Sequence, residues 1–323
     1  ILTPYVLAVL ALLLAWPVPL WLQQAKWPSR APGAALILWQ AIGISGGLSL
    51  VTAPLTWGLQ PFRPGILSGA SELWRVFQAD GIEGLAYDPR WHPLGFAAIT
   101  LGCIIFGHLA LVLVYTAYRT FTQRKKHREF VELLSASLQD HDRELLEGSH
   151  SAQTTRVLPV DHPLAYCLPG VNQPLTIVSQ GLLDQLSTRQ LNAILSHEAA
   201  HLTQRHDLLR LAFQAWHNAA PWLPVTSVAV DEVTELTEIL ADDVALVGHQ
   251  RKDLTTALVH TLTANDAPAP TNTPSDDTPT QALSSRRLLR LLHPEEALSS
   301  GRVGLVIMLA ILLITVPAFI SLM

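Results

Sequence analysis

The sequence predicts a mainly α-helical polytopic membrane protein, with four transmembrane helices and a polar domain containing a small β-hairpin or sheet. Three observations lead there. Hydrophobic residues are 49% of the 323 and charged residues only 15%, with mean hydropathy +0.30, whereas soluble domains carry about 25% charged residues. Apolar stretches long enough to span ~30 Å of hydrocarbon occur at 1–22, 31–59, 93–118 and 303–323. A long stretch of ordinary polarity separates the third from the fourth.

Taken in order, the first apolar stretch has no charged residue. Trp16 and Trp21 suit an interfacial belt, and no small-residue cleavage site follows, so it reads as a span rather than a signal peptide. A few residues are expected before Ile1, since the sequence does not open on Met. The second stretch is rich in Gly and Ala, as membrane helix contacts often are. An extracellular loop is expected at 60–92. The third stretch contains His108, read as a hydrogen-bonded packing histidine. The polar domain is expected over 119–263, a flexible linker over 264–281 and a juxtamembrane helix over 282–302, before the fourth span.

Lys and Arg near the span ends set the orientation. Arg119, Arg124, Lys125, Lys126 and Arg128 follow the third span; Lys26 and Arg30 lie between the first two; Arg286, Arg287, Arg290 and Arg302 precede the fourth. With alternating spans all fall on one side. On the other, Arg63, Arg75 and Arg90 are diluted by Glu72, Asp80, Glu83 and Asp88. The polar domain is therefore expected in the cytoplasm, with both termini outside a multi-pass plasma-membrane protein. The net charge of −5 suggests no direct nucleic-acid partner, and Cys103 and Cys167 are too few for a disulfide framework and read as free thiols.

Within the polar domain, 125–146 has apolar residues at helical spacing. "RVLPVDHPLAYCLPG" and "QPLTIVSQGLLDQL" hold short β-prone runs split by Pro and Gly, which predict the hairpin or edge strand. "STRQLNAILSHEAAHLTQRH" reads as a helix opened by a Ser187/Gln190 capping box, with Leu191, Ile194, Leu195 and Leu202 on its apolar face. Stretch 208–230 is broken by Pro221 and Pro224 and is read as a helix lying along the membrane or the domain rather than a fifth span. An acidic helix follows at 231–246.

The chemistry lies in His197-Glu198-Ala199-Ala200-His201, an H-E-x-x-H pattern. Residues i and i+4 share a helix face, so both imidazoles can reach one metal, and Glu198 beside them can take a proton from water activated there. Chance gives an H-[DE]-x-x-H about 0.04 times in a chain of this composition, so two solvated histidines on a surface helix are the weaker reading. A catalytic zinc wants a third protein ligand and an open position. "ELTEILADDVAL" offers Glu235, Glu238, Asp242 and Asp243, with Glu232 just upstream. Glu238 and Asp242 share a face, which suits a ligand followed by an acid that orients a ligating His; Glu232 or Glu235 alone fits a solvated face. His206 and Asp207, at the helix end, are read as capping or packing residues.

These stretches resemble the M56 family of integral-membrane zinc metallopeptidases, which includes β-lactam sensor-transducers, and the related M48 membrane proteases. The resemblance runs over 165–246, through "AYCLPG", "IVSQGLLDQLS", "LNAILSHEAAHLTQRHDLL" and "LTEILADDVAL"; "RAPGAALILWQA" is similar to actinobacterial members. It implies a gluzincin-type zinc metalloprotease domain binding one Zn2+. The third ligand is then Glu238, Asp242 supports it, and Glu198 is the general base. The sensors' penicillin-binding domain would follow the last span, where this sequence ends at Met323, so no β-lactam receptor role is implied.

The expected activity is endoproteolysis of a cytoplasmic protein such as a transcriptional repressor, with self-cleavage known in the resembling family. Tyr166, His217, Asn218 and His249 are the candidates for an oxyanion donor, and the strand near 165–168 for pairing with an extended substrate. The alternatives are membrane-protein quality control and a non-catalytic, zinc-stabilised transducer. The expected partners are the lipid bilayer, a protein or peptide substrate and, as an open option, further copies of the chain.

Overall fold

The computed structural model describes residues 2–137, 155–169, 174–265 and 285–322. Two compact units emerge, each discontinuous in sequence. One comprises Ile1–Ala117, Ala212–Val233 and Ala297–Met323, the other Tyr118–Leu211 and Thr234–Glu296.

The first unit is helical. α1 (Thr3–Ala15) and α2 (Pro17–Gln23) follow the first apolar stretch, α3 (Pro32–Leu59) the second, α5 (Pro93–Leu134) begins with the third, and α12 (Ser300–Leu322) is the fourth. Among the described residues these give four candidate membrane spans by length and apolarity, with α1 and α2 counted together. α1 and α12 pack on α3, around a fully buried Trp39. Gly58 lets α3 come close to α5: a Cβ there would stand 2.5 Å from the Gly95 carbonyl oxygen. His108 is a packing histidine as expected, its Nε2 2.9 Å from the Ala219 carbonyl.

Several boundaries differ from those expected. The first stretch is not one helix, because Pro17 restricts Trp16 and the chain breaks there at φ −131°, ψ −77°. The region 60–92 is not simply a loop: α4 (Ile66–Tyr87) fills most of it, kinked at Gly81 with φ 65°. A buried Glu72 there receives Arg75 at 2.6 Å and Arg90 at 3.1 Å. α5 runs on to Leu134 without a break after 118, and most of the rest of the helix expected over 125–146 lies outside the described residues.

The second unit combines a small sheet with helices. β1 (Ala136–Ser137), β2 (Thr155–Leu158), β3 (Ala165–Leu168) and β4 (Leu175–Ser179) lie in the order β1-β2-β4-β3. β2 runs parallel to β4, while β3 and β4 are antiparallel with Ala165 opposite Val178, which is the expected hairpin. β4 is buried throughout and leads into α6 (Gln180–Gln185) and α7 (Thr188–Thr203), the motif helix. The capping box forms, with the Ser187 N–H donating to Gln190 Oε1 at 2.9 Å. Leu191, Ile194 and Leu195 are buried as expected, against Leu182, Leu254 and Leu258.

α8 (His206–Ala219) and α9 (Pro224–Gly248) each contribute residues to both units. The break between them falls at Pro221 and Pro224, and the acidic helix expected at 231–246 starts earlier, at Pro224, where a missing N–H costs nothing. α10 (Arg251–Asn265) takes in the first two residues of the expected linker; the rest of 264–281 lies outside the described residues. Of the helix expected over 282–302, residues 282–284 lie outside the described residues, α11 spans Ser285–Leu292, and the chain is non-helical from there to the start of α12 at Ser300.

Candidate metal centre

The period of α7 places His197 and His201 one turn apart, and α9 brings Glu238 to meet them. The three form the one cluster among the described residues with metal-ligand character. His197 Nε2 and His201 Nε2 are 3.2 Å apart. Glu238 Oε2 lies 3.4 Å from His197 Nε2, and Oε1 3.4 Å from His201 Nε2.

These separations test the fit to zinc directly. Donors about 2.0–2.1 Å from a tetrahedral ion stand roughly 3.3–3.4 Å from one another. The edge between the two imidazoles is close to that value, and each imidazole faces its own oxygen of Glu238 at 3.4 Å, so two imidazoles and a carboxylate converge within 4.8 Å, with His197 and Glu238 buried. Both oxygens of Glu238 also have cationic neighbours: Arg210 Nη2 donates to Oε1 at 2.6 Å, and Arg287 Nη1 lies 2.9 Å from Oε2. The Arg287 contact is not aligned as a hydrogen bond, so Oε2 keeps lone-pair capacity toward the imidazoles.

Each of the two imidazoles has a polar neighbour at its far nitrogen. His197 Nδ1 is 2.9 Å from Asp242 Oδ1, one turn beyond Glu238 on α9. His201 Nδ1 is 2.9 Å from His206 Nδ1, and His206 Nε2 is 3.0 Å from Gln204 Oε1. Arg205 makes the second relay possible. At φ 54° it occupies the left-handed region and turns the chain from α7 into α8, so that buried His206 faces back. His206 is therefore more than the capping residue expected, while Asp207 pairs with Arg124 at 2.7 Å.

Burial and charge set the proton affinities. Burial lifts the Glu198 carboxyl to about 7, although the cationic His197 opposes it. Burial lowers His201 to about 3 and His206 to about 4, both neutral at physiological pH. At His197 burial acts downward, yet Asp242 and Glu238 carry it up to about 9. For Glu238, burial acts upward and is outweighed by His197 and Arg287, which hold it well below the usual carboxylate range. Asp242 is lowered likewise, with Arg287 and His197 overcoming its burial.

The remaining predicted residues lie elsewhere. Tyr166, on β3, has its hydroxyl 3.1 Å from His127 Nε2. His217 Nδ1 is 3.2 Å from Thr226 Oγ1, and Asn218 Nδ2 donates to Thr116 Oγ1 at 3.4 Å, both within the first unit. His249 follows α9, its N–H donating to the Ala245 carbonyl at 3.2 Å. Of the other acids of α9, Glu235 lies 3.4 Å from Arg286 and Asp243 pairs with Arg290. Glu232 is buried outside the cluster. Cys103 and Cys167 are free thiols. Arg210 and Arg287 entered the sequence reading as charges at most, yet both contact Glu238. The only hint in the sequence is that a helix with several buried acids needs cations.

No curated protein matches the chain. Residues 133–268 match the model of peptidase family M48, a segment that contains the H-E-x-x-H helix and Glu238. The match supports an M48-type metallopeptidase, associated with a membrane through its apolar helices.

Proposed function

We propose that the protein is a membrane-embedded zinc endopeptidase, with His197, His201 and Glu238 as the metal ligands and Glu198 as the general acid–base. The observation that carries this is the convergence of two imidazole nitrogens 3.2 Å apart and a buried carboxylate, with one ligand atom from each residue within 4.8 Å of the others. A zinc ion held there would supply Lewis acidity to a peptide carbonyl and make water easier to deprotonate. The chain's own part begins with orientation. Asp242 stands 2.9 Å from Nδ1 of His197 and favours that ring's orientation by its charge, and His206 hydrogen-bonds Nδ1 of His201. Glu198 then accepts a proton from the attacking water as its oxygen bonds to the carbonyl carbon. As the C–N bond breaks, Glu198 passes that proton to the leaving amine. A carboxyl held near 7 suits both directions of transfer at neutral pH.

β3 supports a way to hold substrate. It is outermost in the sheet order and packs against α7, and its Cys167, raised to about 12 by burial, also feels the Glu198 charge. An extended peptide adding to this strand would be presented to Glu198. Within the family group we place the chain nearest the M56 proteases on the stretches quoted above. On the charge asymmetry we take the active site to face the cytoplasm, with a regulatory target such as a repressor. The M48 match favours a second reading, quality control of membrane proteins.

The test is metal analysis alongside cleavage. One zinc per chain is expected, removable by chelators, with sharp loss in His197→Ala, His201→Ala and Glu238→Ala. Glu198→Gln should keep the metal and lose cleavage, and proteins accumulating with that variant in cells separate a single regulatory target from many membrane proteins. Normal zinc in Glu238→Ala together with loss in Glu235→Ala would refute the ligand assignment.

A further inference from the structure

We propose that Arg287 is a positioning residue of the metal centre: delivered by α11, its guanidinium holds Asp242 and Glu238 in the places from which they orient and complete the ligand set. The inference rests on the zinc reading above and concerns a residue outside the H-E-x-x-H and E-x-x-x-D elements. Arg287 is 1% exposed, although α11 is a short helix in which only Leu291 is buried beside it. Its Nε donates to Asp242 Oδ2 at 2.6 Å and its Nη2 to Asp242 Oδ1 at 2.7 Å, a two-point grip on the carboxylate. Its Nη1 stands 2.9 Å from Glu238 Oε2, and Nη2 also lies 3.4 Å from His197 Nε2.

One planar group therefore meets two acids one helical turn apart, one of them a metal-ligand candidate and the other the partner of a ligand histidine. Lysine has the charge but not the fork, so it cannot make this contact. The group is also a permanent cation.

The rest of α11 shows how the arginine is kept in place. Arg286 Nε lies 3.4 Å from Glu235 Oε2, and Arg290 Nη2 donates to Asp243 Oδ2 at 2.9 Å. The three arginines thus line up against the acids of α9 at 235, 238, 242 and 243. Leu291 is buried in the core of the second unit, and Arg251 Nη1 donates to the Arg290 carbonyl at 3.1 Å at the end of the helix. Arg290 meets no member of the metal cluster, which makes it the internal control for mere docking of α11.

The experiment measures zinc affinity of the full-length protein in detergent by competition with a chromophoric chelator, and the melting midpoint of the chelator-stripped protein. Arg287→Ala and Arg287→Lys should each weaken zinc binding by roughly 10- to 100-fold, the usual range for partners of ligand residues. In an Asp242→Asn background, Arg287→Ala should cost less than it does in wild type, because part of its action runs through that carboxylate. Arg290→Ala should lower the midpoint and leave zinc affinity within about twofold of wild type. Should Arg287→Ala fail to fold, Arg287→Lys with an unchanged circular dichroism spectrum decides. Wild-type affinity in a folded Arg287→Lys overturns the proposal, as does an equal loss in Arg290→Ala. If instead wild type binds no zinc and His197→Ala changes nothing, it is the metal-centre reading that fails.

Discussion

His206 shows how a single side chain can take its role from a turn. In the sequence it is one of thirteen histidines and sits at a helix end. In the structure the left-handed Arg205 places it against His201. Because His201 directs Nε2 at the other donors, its Nδ1 carries the hydrogen and donates to His206 Nδ1; His206 Nε2 then donates to Gln204 Oε1. Both rings must be neutral for this chain of donors, and burial, which lowers them to about 3 and about 4, keeps them so at pH 7. His206→Ala should therefore weaken zinc binding by about 10-fold or more without abolishing it, while His206→Gln, which can still accept from His201, should recover part of the loss. Chelator competition measures both. Equal affinity in wild type and His206→Ala would remove His206 from the centre. The spacing of His197, Glu198 and His201 was legible because helical period is a local property. Arg287 was not, because it meets Asp242 45 residues away and His197 90 residues away in the sequence. In a single sequence with a membrane-protein composition, such an arginine reads first as a topology signal.

At the scale of elements, the motif helix is placed by what precedes it. β4 is buried on both faces and passes directly into α6, which leaves no slack before Ser187 caps α7. Gly181 is the tightest point. Its N–H donates to the Val160 carbonyl at 3.0 Å, and a Cβ there would run into the backbone carbonyl of Asp161. Backbone cannot rotate away as a side-chain tip can, so Gly181→Ala should cost about 1–3 kcal/mol and shift the melting midpoint down. An unchanged midpoint would mean that the 160–161 segment is free to move. The capping box and the β3–β4 hairpin were readable from turn and cap residues. α4 was missed because Pro64, Gly65 and Gly81 punctuate a mixed-polarity stretch in the manner of a loop, while the helix they bound is held by Glu72 with Arg75 and Arg90. α11 was drawn too long, since an amphipathic basic run does not reveal that His293 and Pro294 end it.

For the molecule as a whole, hydropathy gives the spans and charge gives their direction, and the two signals are independent. The apolar stretches fall on α1 with α2, α3, α5 and α12, because leaving twenty apolar residues in water is costly whatever the fold. Direction rests on Lys and Arg alone. Lys26, Arg30, Arg119, Arg124, Lys125, Lys126, Arg128 and the series from Arg286 to Arg302 share a side under simple alternation. The segment between the second and third spans sets three arginines against four acids, with Arg75 and Arg90 paired to Glu72 and Arg90 to Asp88, so it carries a net charge of −1. The expected topology puts that segment outside and the H-E-x-x-H segment in the cytoplasm. Reporter fusions check it at three points. A fusion after Gln60 should read as external, and fusions at Lys125 and at Asp266 as cytoplasmic. A cytoplasmic signal at Gln60 would reverse the orientation and move the proposed peptidase to the outer face. An external signal at Asp266 alone would mean that the chain crosses once more between 125 and 266. The break at Pro221 and Pro224, where α8 ends and α9 begins, makes such a crossing by 208–230 the less favourable arrangement, because a continuous helix is what satisfies the backbone in hydrocarbon.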